Sequence, residues 1–173
     1  MTTPRLLALG SVTLLAATWL GAPAFAEVIN GDDDANTLVA TNVDDTVRGY
    51  AGADVITARK GNDSVKGGSG DDRVDAGQGA DQVWGGGGND VLDIGTADDG
   101  EDKAYGQAGD DTVYLRFTDD AWGGQGNDRF EAVYAALGME IDCGAGVDRV
   151  VFNQPSRKVR LVGCEKVTVI SAG

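Results

Sequence analysis

A nine-residue period runs through the middle of the chain and constrains its fold more than any other feature. From Gly31 the sequence divides without a gap into seven nonapeptides: GDDDANTLV, ATNVDDTVR, GYAGADVIT, ARKGNDSVK, GGSGDDRVD, AGQGADQVW and GGGGNDVLD. After the opening Asn36, the sixth place is always Asp, and the eighth place is always Leu, Val or Ile. A fixed period of this kind is typical of a solenoid in which each repeat is one structural unit.

Each unit is expected to form a tight turn followed by a short strand. Glycine recurs at the first, second and fourth places, where it lets the backbone adopt positive φ, and an aliphatic eighth place suits the centre of a strand. Two units then form one coil, and successive coils stack about 4.8 Å apart, the spacing of hydrogen-bonded strands. The sequence therefore predicts an all-β fold, a right-handed parallel β-roll (a β-helix solenoid) with a thin aliphatic core.

The pattern is interrupted in the second half of the chain. It breaks after the seventh unit and returns as GQAGDDTVY from Gly106, GGQGNDRFE from Gly123 and a weaker CGAGVDRVV from Cys143. We expect the first insertion to displace the unit that would follow Asp90 on its edge of the roll. The predicted repeat domain is 27–151, continuous over 31–93 and interrupted over 106–151.

The remaining segment, 152–173, is expected to form a small C-terminal β cap. Alternating aliphatic residues between Val159 and Val169 predict one or two final strands, which would cover the open end of the solenoid. Cys143 and Cys164 are the only cysteines. In an exported chain with an even cysteine count they are expected to form a disulfide, which stabilises by about 3 kcal/mol for a loop of this length.

The composition of the chain predicts that it binds a cation. Acidic side chains outnumber basic ones by 28 to 14, there is no His, and aromatic residues make up only 6% of the chain. Such a chain buries too little apolar surface to offset its conformational entropy, and stacked sixth-place carboxylates would repel one another. Ca²⁺ accepts six to eight oxygen ligands, whereas Mg²⁺ demands stricter geometry and zinc or copper prefers nitrogen or sulfur. The sequence therefore predicts Ca²⁺ as the cofactor.

The nonapeptides resemble the G-G-x-G-x-D-x-U-x repeats of RTX, or haemolysin-type, calcium-binding proteins. GGSGDDRVD, GGGGNDVLD and GGQGNDRFE match every fixed place, and the C-terminal segment resembles that of small secreted actinobacterial repeat proteins. The resemblance implies that a unit shares each ion with the unit two further on. The implied ligands are the side chains or carbonyls of Asp45, Asp54, Asp63, Asp72, Asp81, Asp90, Asp111, Asp128, Gly49, Gly67, Gly70, Gly85 and Gly88.

Several units depart from the repeat consensus. Ala58 and Ala76 stand at the first place of the units that carry Asp63 and Asp81. If that place needs positive φ, a Cβ is costly there, and we expect weaker calcium binding on this edge. Tyr50 replaces a glycine at a second place and Val43 replaces one at a fourth, so the sequence leaves open whether the early sites form.

The first 26 residues have the pattern of a secretory signal peptide. Arg5 supplies a positive start, Leu6 to Leu20 is mostly apolar but shorter than the roughly 20 residues that span a membrane, and the AFA triplet ending at Ala26 is a cleavage signal. We expect cleavage after Ala26, secretion to the extracellular space and no membrane association afterwards; a membrane anchor is the alternative. The acidic chain is not expected to bind nucleic acid.

The predicted function is that of a secreted calcium-binding protein that folds on binding Ca²⁺ and acts as a monomer. No His, no G-x-S-x-G and no carboxylate pair distinct from the repeats is present, so we expect no enzyme and no catalytic residue. The alternatives are an adhesin for cell-envelope polysaccharide and a polysaccharide-cleaving β-helix enzyme on the same scaffold. We interpret Trp84 and Trp122 as groups that cover the thin core.

Overall fold

The computed structural model describes residues 13–15, 25–95, 100–116, 119–133, 138–153 and 159–170. Over these ranges the chain forms only strands and connecting turns, and every strand pair is parallel. None of the described residues belongs to a helix that could cross a membrane. Most of the predicted signal peptide and residues 154–158 and 171–173 of the predicted cap lie outside the described ranges.

The strands alternate between two sheets, so that each coil contributes one strand to each. The odd sheet contains β1 (Thr13–Leu15), β3 (Thr37–Val39), β5 (Val55–Thr57), β7 (Arg73–Asp75), β9 (Val91–Asp93), β11 (Thr112–Arg116), β13 (Arg129–Val133), β15 (Arg149–Phe152) and β17 (Lys166–Val169). The even sheet contains β2 (Val28–Asn30), β4 (Thr46–Ala51), β6 (Ser64–Ser69), β8 (Gln82–Gly87), β10 (Lys103–Ala108), β12 (Asp120–Gln125), β14 (Glu140–Ala145) and β16 (Arg160–Val162). This is the predicted parallel β-roll.

Eighth-place side chains point inward from both sheets and form the core. In the even sheet Val65 lies opposite Val47 on one side and Val83 on the other, so identical repeat places stack on one another. These three side chains are fully buried, and the eighth-place residues of β5, β7 and β9 are at most 1% exposed. Period-two alternation explains the register, because a slip by one residue would turn every aliphatic side chain toward water.

The two edges of the solenoid differ at the first place of the repeat. We call the turns from an even strand to the next odd strand the glycine edge, because the first places there are Gly31, Gly49, Gly67, Gly85, Gly106, Gly123 and finally Cys143. We call the turns from an odd strand to the next even strand the apolar edge, because the first places there are Ala40, Ala58, Ala76, Ile94, Leu115, Ala132 and Phe152. All seven apolar residues are at most 4% exposed and belong to the core.

The insertions lie only in the units of the apolar edge, and the strands return to register after each one. Beyond the first insertion, Ala104 of β10 pairs with Val83, and Val113 of β11 pairs with Leu92. The expectation that this insertion displaces the unit after Asp90 is therefore wrong. The backbone hydrogen bonds and the inward alternation of the strands fix the register, whatever the length of the turn between them.

The predicted final strands are present as β16 and β17, and they continue the two sheets as the last coil. Val167 and Val169 remain 50% exposed and Ile170 53% exposed, because they lie in the last coil that the described residues form. The predicted disulfide is confirmed: Cys143, within β14, is bonded to Cys164, in the turn between β16 and β17. It ties the last coil to the one before it.

Three aromatic rings stack on the outer face of the even sheet. The ring centroids of Trp84 and Tyr105 are 5.5 Å apart, those of Tyr105 and Trp122 are 4.7 Å apart, and the planes lie within 9° of each other. The Lys66 Nζ lies 5.3 Å from the centroid of the Trp84 ring. Our interpretation of Trp84 and Trp122 as covers for the core is wrong, since ninth-place side chains alternate with the inward eighth place and face outward.

Candidate metal centre

Sixth-place residues form a hydrogen-bonded ladder along the glycine edge. The backbone N–H of each donates to Oδ1 of the Asp one coil further: Asn36 to Asp54 at 2.7 Å, Asp54 to Asp72 at 2.8 Å, and Asp72 to Asp90 at 2.8 Å. The ladder continues from Asp90 through Asp111, Asp128 and Asp148 to Oε2 of Glu165, with distances of 2.7 to 2.9 Å. Each rung therefore uses one oxygen of a carboxylate.

In eight Asp carboxylates on the two edges, the second oxygen is buried and has no hydrogen-bond partner. This holds for Oδ2 of Asp54, Asp63, Asp72, Asp81, Asp90, Asp111, Asp128 and Asp148. Six of these eight carboxylates lie on the glycine edge. An unsatisfied buried oxygen costs about 1 to 3 kcal/mol, and more when it is charged. The row of free oxygens is therefore a candidate site for cations.

First-place glycines keep the space beside these oxygens open and bring backbone carbonyls to it. A Cβ on Gly67 would collide with Oδ2 of Asp72 and would lie 2.6 Å from the carbonyl oxygen of Gly85. A Cβ on Gly106 would likewise collide with Oδ2 of Asp111 and lie 2.7 Å from the carbonyl oxygen of Gly123. A carboxylate oxygen and the first-place carbonyl of the next coil thus face one space, which suits a cation that prefers oxygen ligands.

The second and fourth places adopt positive φ, which aligns the turns of successive coils. Gly70 has φ 121° and Gly88 has φ 126°, and a Cβ on Gly88 would lie 2.5 Å from the carbonyl carbon of Gly70. Tyr50 and Arg59 occupy second places with φ 79°, at a strain of about 1 to 2 kcal/mol each. Glycine at these places would avoid this strain.

The first place does not adopt positive φ, so the proposed reason for weak binding on the apolar edge is wrong. Neither Ala58 nor Ala76 is among the non-glycine residues with positive φ. Their side chains instead belong to the core, where they occupy the place that glycine leaves open on the other edge. Oδ2 of Asp63 and of Asp81 is nevertheless free, and the same kind of ladder joins these two residues at 2.7 Å.

Asp45 differs from the other predicted ligands because both of its oxygens already accept protein hydrogen bonds. Its Oδ1 accepts the backbone N–H of Glu27 at 2.7 Å. Its Oδ2 accepts the N–H and the hydroxyl of Thr41, both at 2.7 Å. Asp45 therefore closes the N-terminal end of the ladder on the apolar edge without needing a cation, and it is the weakest of the ligands that the resemblance implies.

The ladders contain three carboxylates that the sequence analysis missed. Asp102 continues the apolar edge by accepting the N–H of Asp81 at 2.7 Å, and Oδ2 of Asp119 accepts the N–H of Arg116 at 2.6 Å. Asp148 extends the glycine edge. GEDKAY and TDDAW each contain an Asp two places before an alanine and three before an aromatic residue, which is the signal that could have revealed Asp102 and Asp119.

A second ladder, exposed to solvent, runs beside the first on the glycine edge. The fifth-place Oδ1 of Asp71 accepts the backbone N–H of Asn89 at 2.7 Å, and Oδ1 of Asn89 accepts that of Asp110 at 2.8 Å. Asn127 and Val147 continue this ladder. Asn serves as well as Asp at the fifth place, which provides a matched control for the sixth.

Burial raises the pKa of the ladder carboxyls. The pKa rises to about 7 for Asp63, Asp90 and Asp111 and to about 6 for Asp72, Asp81 and Asp128. In each case the loss of solvation is the main cause, and the ladder N–H lowers the pKa only in part. Neighbouring carboxylates raise it further. Without a cation, these carboxyls therefore bind protons more readily in the folded chain than in water, and those of Asp63, Asp90 and Asp111 are partly protonated near neutral pH.

The ligand set favours a cation bound mainly by oxygen atoms of the backbone. Within the described ranges, no three side chains of His, Cys, Asp or Glu converge on one position that could hold a metal ion. Zinc sites are built from such clusters, whereas Ca²⁺ accepts carbonyl oxygens together with one or two carboxylates. Paired coils with one free Asp oxygen each and a row of glycine carbonyls fit Ca²⁺.

The model of the RTX calcium-binding nonapeptide repeat matches the chain in four copies, over residues 30–65, 58–92, 66–99 and 93–121. The chain belongs to this family. No curated protein and no solved structure matches it. The RTX match includes the first insertion, in agreement with the register of β10 and β11. Since RTX nonapeptide repeats bind calcium, the chain is a calcium-binding repeat protein on a β-solenoid.

We predict that Gly67→Ala raises the calcium concentration needed for half-saturation. The added methyl group would enter the space that Asp72 and the Gly85 carbonyl face. Gly87→Ala is the matched control, because a Cβ there meets no atom within 4 Å and Gly87 does not have positive φ. Isothermal titration calorimetry with Ca²⁺ measures both variants. An equal shift in both would contradict the assignment of this space to the ion.

We predict that, in the presence of a chelator, the metal-free chain becomes more folded as the pH falls from about 8 to about 5. The pKa of these Asp carboxyls is raised in the folded chain above the value of about 3.9 in an unfolded one. The folded state therefore binds protons more tightly, and its relative stability is lost as the pH rises through about 6 to 7. Far-UV circular dichroism checks this, and a β signal that is unchanged or weaker at the lower pH would contradict it.

Proposed function

We propose that the chain is a secreted calcium-binding protein whose solenoid assembles when it binds Ca²⁺. The observation that carries the proposal is the row of buried, unpartnered Oδ2 atoms. Folding without a cation would remove these carboxylates from water and place like charges on adjacent coils, about 4.8 Å apart. Binding free energy then becomes folding free energy, so the metal-free chain is expected to be largely disordered.

The proposed ligands on the glycine edge are the free carboxylate oxygens of successive coils and the glycine carbonyls beside them. They are Asp54, Asp72, Asp90, Asp111 and Asp128, with Gly49, Gly67, Gly70, Gly85 and Gly88, and Asp148 extends the set. On the apolar edge, Asp63 and Asp81 remain proposed ligands. Ca²⁺ would neutralise the charge of the ladder and replace the hydration that the carboxylates lose.

The calcium affinity expected of such a module supports a role for this protein outside the cell. Extracellular calcium modules have dissociation constants of about 10⁻⁴ to 10⁻³ M, so the chain would stay unfolded where free Ca²⁺ is scarce and fold where it is near-millimolar. We propose no catalytic role. The buried carboxylates of the described ranges belong to the ladders, and no acidic pair distinct from the repeats is found among them.

The N-terminal end of the solenoid supports processing after Ala26. Phe25 is 71% exposed, and Ala26 and Glu27 are also exposed, so this stretch is accessible to a peptidase. The nitrogen of Glu27 lies 2.7 Å from Oδ1 of Asp45. Cleavage after Ala26 would convert this amide into an α-ammonium group, which forms a stronger, charge-assisted bond with the carboxylate.

We therefore predict that the secreted protein begins at Glu27. N-terminal sequencing or intact-mass analysis of protein from the culture medium measures the processing site directly. A mature chain that starts more than a few residues away would remove the proposed bond between the α-ammonium group and Asp45.

We predict that Asp72→Asn weakens calcium binding and raises the Ca²⁺ midpoint of folding, whereas Asp71→Asn does not. Both changes remove one negative charge, and both retain an oxygen that accepts the ladder N–H. Only Asp72→Asn replaces a buried, free carboxylate oxygen with an amide nitrogen. Since Asp54 and Asp90 flank Asp72 on the ladder, the loss is expected to affect two ions.

Calcium titrations followed by calorimetry and circular dichroism compare the two variants with the unmodified chain. Asp90→Asn is expected to match Asp72→Asn, because Asp111 continues the ladder beyond Asp90. Equal behaviour of the Asp71 and Asp72 variants would contradict the ligand assignment. A chain that is fully β-rich in excess chelator would contradict folding on binding.

A further inference from the structure

The outer face of the even sheet is charged in two opposite halves. Its early strands carry the basic residues Arg48, Lys66 and Lys103. Its later strands carry the acidic residues Asp120, Glu140 and Asp142. No acidic side chain belongs to β2, β4, β6, β8 or β10, although the whole chain has a net charge of −14. The basic residues are thus gathered on a surface from which acids are excluded.

One row of side chains on this face is symmetric in shape and antisymmetric in charge. The row consists of the ninth-place residues of β6, β8, β10, β12 and β14, which pair side by side in the order Lys66, Trp84, Tyr105, Trp122 and Asp142. Tyr105 is at the centre of these five residues, one Trp flanks it on each side, and opposite charges follow at Lys66 and Asp142. The ninth places continue beyond them with Arg48 on β4, next to Lys66, and Val162 on β16, next to Asp142. We call this row the aromatic row.

The order of the row points to a second copy of the same chain as its partner. We propose that two calcium-loaded molecules pack their even sheets face to face with the solenoid axes antiparallel. Lys66 of each copy then lies opposite Asp142 of the other, and Trp84 lies opposite Trp122. A parallel arrangement would place Lys66 opposite Lys66, so charge complementarity selects the antiparallel one.

Neither end of the aromatic row has, among the described residues, an ion pair of its own that would compete with the proposed contact. Lys66 is exposed, and its described contact is with the ring of Trp84 at 5.3 Å. Asp142 accepts a long hydrogen bond from the N–H of Gly144, at 3.2 Å. By contrast, the nearby Glu140 is already paired with Arg160 at 2.8 Å. Lys66 and Asp142 are therefore the charges available for a partner.

The size of the face predicts a weak dimer that depends on calcium. Strands β4 to β14 span about 24 Å across the sheet and about 20 Å along six-residue strands, or on the order of 500 Å² for each copy. This is below the roughly 800 Å² per partner of a standard interface. The negative charge of the two copies opposes association until bound Ca²⁺ reduces it. The inference therefore rests on the proposed calcium-dependent fold and replaces the expected monomer.

Sedimentation velocity at several protein concentrations, in millimolar Ca²⁺ and at low salt, tests the proposal. The unmodified chain should show a monomer–dimer equilibrium that weakens as salt is added. Lys66→Glu and Asp142→Lys should each weaken association at least tenfold, because each places like charges opposite one another. The double variant should restore it, since exchanging the two charges puts opposite charges face to face again. Lys166→Glu, on β17 of the odd sheet, is the matched control and should leave the equilibrium unchanged.

Circular dichroism of each variant in Ca²⁺ separates loss of association from loss of folding. A folded, monomeric unmodified chain at all concentrations would overturn the dimer while leaving the calcium-dependent fold intact. Failure of the double variant to recover would overturn the antiparallel pairing. A chain that stays monomeric but binds polygalacturonate through Lys66 would overturn it in favour of an acidic polysaccharide.

Discussion

The structure depends on one hydrogen bond, from the backbone N–H of a sixth-place residue to Oδ1 of the Asp one coil further. This bond holds successive coils in register at the turns, where strand pairing has ended. It also fixes each carboxylate with its second oxygen inside the protein and without a donor. Because a buried anion of this kind destabilises the fold, the interaction that orders the coils also creates the place where a bound cation would stabilise them.

The two edges of the solenoid differ in what occupies the interior of their turns. The glycine edge keeps its interior empty of side chains and lined with oxygen atoms. The apolar edge fills the same place, first with alanine and then with Ile94, Leu115 and Phe152, each of which contributes about 1.5 to 3 kcal/mol when fully buried. At its sixth place, Met139 even takes the position that Asp119 holds one coil earlier. The free carboxylate oxygens are therefore concentrated on one side of the solenoid, and apolar burial is concentrated on the other.

The nine-residue period was enough to predict the parallel roll, the aliphatic core and most of the carboxylates, because each depends on spacing alone. The sequence analysis missed Asp102 and Asp119 because the units that contain them are not nine residues long. The difference between the edges could not be predicted, since it depends on whether a first-place Cβ would meet the carboxylate of its own turn. Oδ2 of Asp45 is hydrogen-bonded because Thr41, four residues earlier in the same turn, donates to it. A nine-residue period does not predict this contact. The outward direction of Trp84 followed from alternation and could have been deduced.

Changes in repeat length occur only at the apolar edge, while each unit of the glycine edge keeps nine residues. A turn on that side can gain or lose residues without shifting the strands that follow, as the pairing of β10 with β8 demonstrates. A change of length is therefore compatible with the strand register on the apolar edge. A foreign peptide grafted into an apolar-edge turn would be displayed beside a fixed coil of the solenoid, with the carboxylate ladder of the glycine edge undisturbed on the opposite side.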